Sequence, residues 1–129
     1  MAVSIDKTFS VQATALQARS RRAQVLAGNI ANADTPGFKA RDIDFKAAMQ
    51  AAEQGVTLRT TSAAHIAPDA APGGDLKYRV PLQPSVDGNT VDAHVEKSEF
   101  MRNSTLYNAG LTFLGSRING LISALRGGQ

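Results

Sequence analysis

Two histidines, His65 and His94, are the only imidazoles in this chain of 129 residues, and cysteine is absent. Those facts remove most site chemistry at once. Without a thiol there is no disulfide frame, no thiolate zinc centre and no cysteine nucleophile. The run His94-Val95-Glu96 lacks the second histidine of a His-Glu-x-x-His zinc helix, so a solvated or capping role is expected of it. Asp42 and Asp44 stand two apart, as some calcium ligands do. No Asp/Asn-x-Gly loop with a later bidentate Glu follows at the required spacing, which leaves pairing with Lys39 and Arg41, or with basic groups on a neighbouring molecule. Neither a glycine-rich phosphate loop, a nucleophile elbow nor a Ser/His/Asp pattern is visible. No catalytic, cofactor-binding or metal-binding residue is expected, and no small-molecule substrate.

Charge narrows the partners. Fourteen Lys and Arg against eleven Asp and Glu leave a net charge of +3, too weak to argue for nucleic acid. The one basic cluster, Arg19, Arg21 and Arg22, has no interleaved aromatics and reads as a solvated or partner-facing helix patch. No apolar run approaches the roughly 20 residues needed to span a bilayer. Residues 1–7 lack a basic start followed by an apolar stretch, so no cleaved signal peptide is expected. Hydrophobic residues make up 43% of the chain, but aromatics are limited to five Phe and two Tyr, with no Trp. So lean a core favours helix packed on helix.

The elements follow from where the breakers fall. All five prolines lie between Pro36 and Pro84, and Pro interrupts helix by removing a donor and clashing with the preceding turn. Both flanks are helix-competent. In the first, Ile5, Phe9, Gln12, Leu16, Arg19, Ala23, Leu26, Ile30 and Ala33 alternate four and three apart, a mostly apolar seam of period 3.5. In the last, Phe100, Ser104, Tyr107, Leu111, Leu114, Ile118, Leu121 and Leu125 repeat the pattern. Each helix is expected to run about 30 residues, or roughly 45 Å. The pattern predicts a mainly α fold: long N- and C-terminal helices packed as an antiparallel coiled coil, with a small irregular or β-hairpin middle. Helices of 1–35 and 91–129 would flank a turn and anchor at 36–45 and a middle at 46–90. In that middle, residues 56–60 and 76–80 alternate apolar and polar in part and are candidates to pair with each other.

Two helices cannot cover each other's flanks. Leu106, Phe113 and Ile122 widen the apolar stripe of the last helix, and such excess normally meets a third element or another molecule. Gly110, Gly115 and Gly120 recur every five residues there, each costing about 1 kcal/mol relative to Ala. Close approach of a neighbouring helix, backbone adjustability or a frayed last turn would each account for them.

One segment is unusual for local reasons. Asn29 and Asn32 put two amides on one helix face, able to satisfy backbone groups of a neighbouring element. Asp34-Thr35-Pro36-Gly37 then stops the helix: Pro36 pushes Thr35 out of the α region, and Pro-Gly supplies the central pair of a type II turn. Phe38 emerges as an anchor directly after. Farther along, Asp87-Gly88-Asn89 reads as a turn, and Asp92 places an acid at the start of the last helix, where the dipole favours it.

The string from Asn29 through Phe38, continued by Lys39-Ala40-Arg41-Asp42-Ile43-Asp44-Phe45, resembles the signature of the flagellar rod, hook and axial protein family. Its continuation is most similar to the proximal rod type. A second block agrees: Gly88-Asn89-Thr90-Val91 ahead of the last helix, and Leu114-Gly115-Ser116 inside it. The resemblance implies a non-enzymatic subunit of a helical tube, the drive shaft crossing the periplasm, exported through the flagellar type III apparatus without a cleaved signal peptide. It implies contacts with copies of itself, other rod proteins, the inner-membrane (MS) ring and the export-gate region. On that reading Asn29, Asn32, Asp34, Thr35, Pro36, Gly37 and Phe38 form the turn and inter-subunit lock, and Leu16, Leu26, Ile30, Phe100, Tyr107, Leu111, Leu114, Ile118, Leu121 and Leu125 the helix seam. Two competing readings use the same residues: a helical-hairpin adaptor or export chaperone built on the seam, and a nucleic-acid-binding helical protein that uses Arg19, Arg21 and Arg22.

Overall fold

A computed structural model describes residues 5–54, 74–81, 83 and 85–127. Its order is α1 (Ile5–Ala31), β1 (Arg41–Ile43), α2 (Phe45–Gln54), β2 (Leu76–Tyr78) and α3 (Ala93–Leu125). The chain is mainly helical, with the two long terminal helices and the small sheet that the proline distribution implies. At 27 and 33 residues, α1 and α3 are close to the expected length. They pack antiparallel: Asn29 meets Glu96, Arg22 meets Glu99, and Leu16 meets Gly110.

Helix ends follow local chemistry. α3 begins where the Asp92 carboxylate accepts the backbone N–H groups of His94 (2.9 Å) and Val95 (3.2 Å), two of the four donors that a helix start leaves unmatched. α1 closes with tightened bonds, Asn32 N–H to the Asn29 carbonyl (3.1 Å) and Ala33 N–H to the Ile30 carbonyl (3.2 Å), ahead of the Pro36 barrier.

Two features depart from the sequence reading. A helix, α2, runs from the last residue of the expected anchor segment, Phe45, through the first nine residues of the 46–90 stretch expected to be irregular or β. Its composition (Lys, Ala, Met, Gln, Glu) is that of strong helix formers, and Asp44 caps it by accepting Ala47 N–H (3.0 Å). The second concerns strand pairing. Leu76–Tyr78 pairs antiparallel with Arg41–Ile43, with Asp42 opposite Lys77, a partner that the sequence reading does not name. The other expected strand, 56–60, lies outside the described residues. β1 is the available partner because the turn after α1 delivers it in extended form.

The core is as lean as composition implies. Among the described residues the buried apolar side chains are Ala18, Leu26, Ala40, Ile43 and Ala48, while Asn29, Asn89, Glu96 and Asn103 are buried polar groups. Of the three regularly spaced glycines, only Gly110 sits at a close approach. A Cβ there would stand 3.1 Å from Leu16 Cδ2, whereas one at Gly115 or Gly120 would meet nothing within 4 Å among the described residues.

Candidate functional site

The turn after α1 is held by a segment 49 to 57 residues farther along the chain. Thr35 and Phe38 bracket Pro36-Gly37 with a hydrogen bond from Phe38 N–H to the Thr35 carbonyl (3.3 Å), and Gly37 adopts φ +72°. That positive φ is the requirement at the third position of a type II turn which glycine meets without strain. Asn89, almost fully buried, spreads its side-chain amide over the carbonyls of Asn32 (3.1 Å), Ala33 (2.7 Å) and Thr35 (3.0 Å). Gly37 N–H donates to the Asp87 carbonyl (3.0 Å), Thr90 N–H to the Phe38 carbonyl (3.0 Å), and Lys39 Nζ to the Gly88 carbonyl (2.6 Å). The Gly88-Asn89-Thr90 segment therefore caps the end of α1, satisfying carbonyls that a helix terminus otherwise leaves to water. Asn32 acts locally, donating to the Gly28 carbonyl (2.8 Å) and accepting from Thr35 Oγ1 (3.2 Å).

Next to the turn lies a charged network. Arg22 makes a two-pronged pair with Asp42 (2.8 Å to each oxygen) and also reaches Glu99 (2.9 Å). Arg79 pairs with Asp42 and donates to Glu96 Oε1 (2.6 Å). Asn29 completes it: its Nδ2 donates to Glu96 Oε2 (3.1 Å) and to the Arg41 carbonyl (2.7 Å), and its Oδ1 accepts Arg41 N–H (3.2 Å). Four elements meet here: α1, β1, the end of β2 and α3. Burial alone would raise the Asp42 carboxyl, but hydrogen bonds from Arg22 and Arg79 hold it below its ordinary value. The Asp42 hydrogen bond holds the Arg22 guanidinium above its own.

These contacts correct two expectations. The basic cluster on α1 is not a solvated patch throughout, because Arg22 is drawn inward by two carboxylates and Arg19 stacks over the Phe45 ring at 4.4 Å. Desolvation, followed by the nearby Arg22 and Arg102 charges, lowers the Arg19 pKa. Nor do Asp42 and Asp44 pair with Lys39 and Arg41. Asp44 takes Lys77 (2.9 Å) across the sheet, Lys39 serves the turn, and Arg41 lies over Tyr78 at 5.3 Å. Charges one residue apart on a strand point to opposite faces, so the sheet separates them.

The seam residues fall into two groups. Leu26 is fully buried; Leu16, Ile30, Tyr107 and Leu114 are half-buried; Phe100, Leu111, Ile118, Leu121 and Leu125 are exposed. The face that α3 turns towards α1 carries Glu96, Asn103, Tyr107, Gly110 and Leu114, so Asn103 and Gly110 take the places expected of Ser104 and Leu111. Leu125 is 89% and Phe113 70% exposed. In the turn, Asp34, Thr35, Pro36 and Gly37 are exposed and Phe38 is half-buried. Sequence reasoning missed Asn89, Arg79, Glu96 and Asn103. The available signal was the seven-residue spacing of Glu96, Asn103 and Gly110, a polar or small residue at every second seam position.

Among the described residues no group of three His, Cys, Asp or Glu could hold a metal ion, and no helix is long and apolar enough to cross a membrane. What these residues build is a helix pair with a locked turn and large apolar side chains exposed along α3. Residues 9–39, spanning most of α1 and the turn, match the family of flagella basal body rod proteins. Over its whole length the chain is 54% identical to the flagellar basal body rod protein FlgB of Aeromonas hydrophila, with all of both chains covered. It is 48% identical to FlgB of Salmonella typhimurium, covering 97% of each chain, and 48% identical to FlgB of Cereibacter sphaeroides, covering 92% of this chain and 94% of that one. The chain belongs to the FlgB family of flagellar basal body rod proteins.

Proposed function

We propose that this chain is a structural subunit of the proximal rod of the bacterial flagellar basal body, assembling by helix packing into the shaft that transmits torque from the inner-membrane ring towards the hook. The observation that carries the mechanism is the row of large apolar side chains left outside on the second half of α3. Fully burying an exposed side chain of this kind stabilises by about 1.5–3 kcal/mol; because four of the six (Leu111, Ile118, Leu121 and Ile122) are already more than half covered, burying what remains is worth roughly 5 kcal/mol or somewhat more for subunit contacts, against the entropy cost of association. Many modest contacts spread along helices resist torsion better than one strong bond, because no single rupture releases the subunit. The neighbours that fit are copies of this chain and other rod proteins whose helices present similar stripes, with the MS ring and the export-gate region at the base. Export through the flagellar type III route without a cleaved signal peptide, and residence in the periplasmic rod, complete the reading. The turn from Asn29 to Phe38 serves as the lock that fixes where each helix pair ends against its neighbour.

The test uses the full chain in cells that lack their own copy. A Phe113→Asp/Leu121→Asp variant is expected to be exported but absent from isolated basal bodies, leaving the cells non-motile. Motile cells carrying that variant in their rods would overturn the proposal.

A further inference from the structure

The large apolar side chains that α3 leaves exposed do not form one patch. Asn103 donates to the Arg19 carbonyl (2.8 Å) and Gly110 lies against Leu16, so these two residues mark the line along which α3 faces α1. At about 100° per residue, Leu111 and Ile118 project to one side of that line and Leu106 and Phe113 to the other. The two pairs stand roughly 140° apart around the helix axis. On the side away from α1 they are separated by the exposed polar residues Asn108, Thr112, Ser116 and Asn119. Among the described elements only α1 packs along α3, so both flanks are left without cover.

The flanks are unlike in shape. The first is long, extended by Phe100, Ile122 and Leu125, and it contains a notch. Gly115 lies beside Leu111, Ile118 and Ile122, and a Cβ there would meet nothing within 4 Å among the described residues. The second flank is short and protruding, with Phe113 70% exposed. A glycine inside a helix costs about 1 kcal/mol relative to Ala, and nothing in the described subunit uses the space that Gly115 leaves. A large side chain from another helix would use it, as a knob enters a hole. Together the exposed side chains of the two flanks amount to between three and four whole residues. That is of order 500 Å² of apolar surface, most of the apolar area buried in the smaller specific interfaces. A symmetric dimer has one patch meeting itself, and one built on the first flank would leave Phe113 in water. Two unlike patches on opposite flanks suit a head-to-tail contact, in which one patch of each copy meets the other patch of the next.

We propose that a second copy of this chain packs beside the first through unlike flanks of α3, with Phe113 of one copy seated over Gly115 of the other. Each copy then uses both flanks, and the contact repeats in one direction around the assembly. The inference rests on the proposed rod function and adds to it which surfaces of adjacent copies meet.

The absence of native cysteine gives a clean reporter. Two full-length chains with different tags, one Phe113→Cys and one Ile118→Cys, are produced together in cells that lack their own copy. Basal bodies are isolated and treated with a short thiol-to-thiol linker. Mixed dimers are expected, at least about tenfold above the like dimers formed when either chain is produced alone. Both chains present in basal bodies without mixed dimers would overturn the contact and leave the rod reading standing, and so would like dimers in equal amount. If these cysteines keep the chains out of the rod, Leu106→Cys with Leu111→Cys carries the same test across the same two flanks. The notch is tested separately by Gly115→Leu. Leucine raises helix propensity, so a fall in incorporation cannot come from a weakened helix; a loss of about tenfold is expected from overfilling the hole. Incorporation of Gly115→Leu at the parent level would overturn the seating of Phe113. Absence of the parent chain itself from basal bodies would overturn the rod reading and the contact together.

Discussion

The two halves of α3 differ in what they bury. From Ala93 to Gly110 the helix buries Glu96 and Asn103 and pairs Glu99 with Arg22, while leaving Phe100, Met101 and Leu106 exposed; from Leu111 onwards it exposes Leu111, Phe113, Ile118, Leu121, Ile122 and Leu125 and has no fully buried residue among those described. In an ordinary soluble domain the polar residues would be outside and the leucines within. The inversion teaches that burial is divided by purpose. Contacts inside the subunit need to be unique, and hydrogen-bonded charges are directional. Contacts between subunits need area, and apolar surface supplies it without demanding one geometry.

The comparison can be broken from either side. The largest effect is expected in the second half: Phe113→Asp/Leu121→Asp should abolish incorporation into rods while leaving the unfolding midpoint of the isolated chain unchanged, as measured by circular dichroism. A large drop in that midpoint would mean these residues serve the monomer after all. In the first half the expected effects are on folding. Asn89→Ala removes the amide that serves three carbonyls at the end of α1 and should cost about 2 kcal/mol in urea unfolding; a loss below a few tenths would show that water replaces it.

A pH series sharpens the same region. The Asp42 carboxyl sits below its ordinary value in the fold, so the unfolded chain binds this proton first as pH falls. The stability it contributes is present above the ordinary aspartate value of about 3.9 and is lost as pH drops through the depressed folded value. Asp42→Asn should therefore be less stable at neutral pH and show a flatter decline in acid. A decline as steep as the parent's would assign acid sensitivity to other carboxylates. The smallest effect belongs to the exposed Lys77–Asp44 pair. Lys77→Ala should leave the unfolding midpoint within experimental scatter, because solvent-exposed pairs are screened and held loosely.

Legibility in the sequence followed sequence distance. The long helices were readable because period and proline placement act within a few turns, and Thr35-Pro36-Gly37-Phe38 was readable because a turn is a four-residue event. α2 was overlooked although Asp44 and an Ala-rich run announce it, since the prolines farther along coloured the whole middle. The partner of Leu76–Tyr78 and the partners of Arg22, Asp42 and Asn89 were not readable. Each joins residues tens of positions apart, and nothing in either local string names the other. Asn29 illustrates both cases: its capacity to satisfy foreign backbone groups followed from its amide, while Arg41 and Glu96 as recipients followed only from how α1, β1 and α3 converge.

By itself, then, the sequence determined a cysteine-free, aromatic-poor, mainly helical chain with breakers confined to its middle, a turn that only Pro-Gly makes easily, and more apolar helix surface than two helices can hide. Tertiary structure decided which surface that is. The partners of a helix face come from distant elements, and here they are the charges of Arg22 and Arg79 and the amide of Asn29, which hold Glu96 and Glu99 against α1 and the sheet while Leu111, Ile118, Leu121 and Leu125 remain exposed.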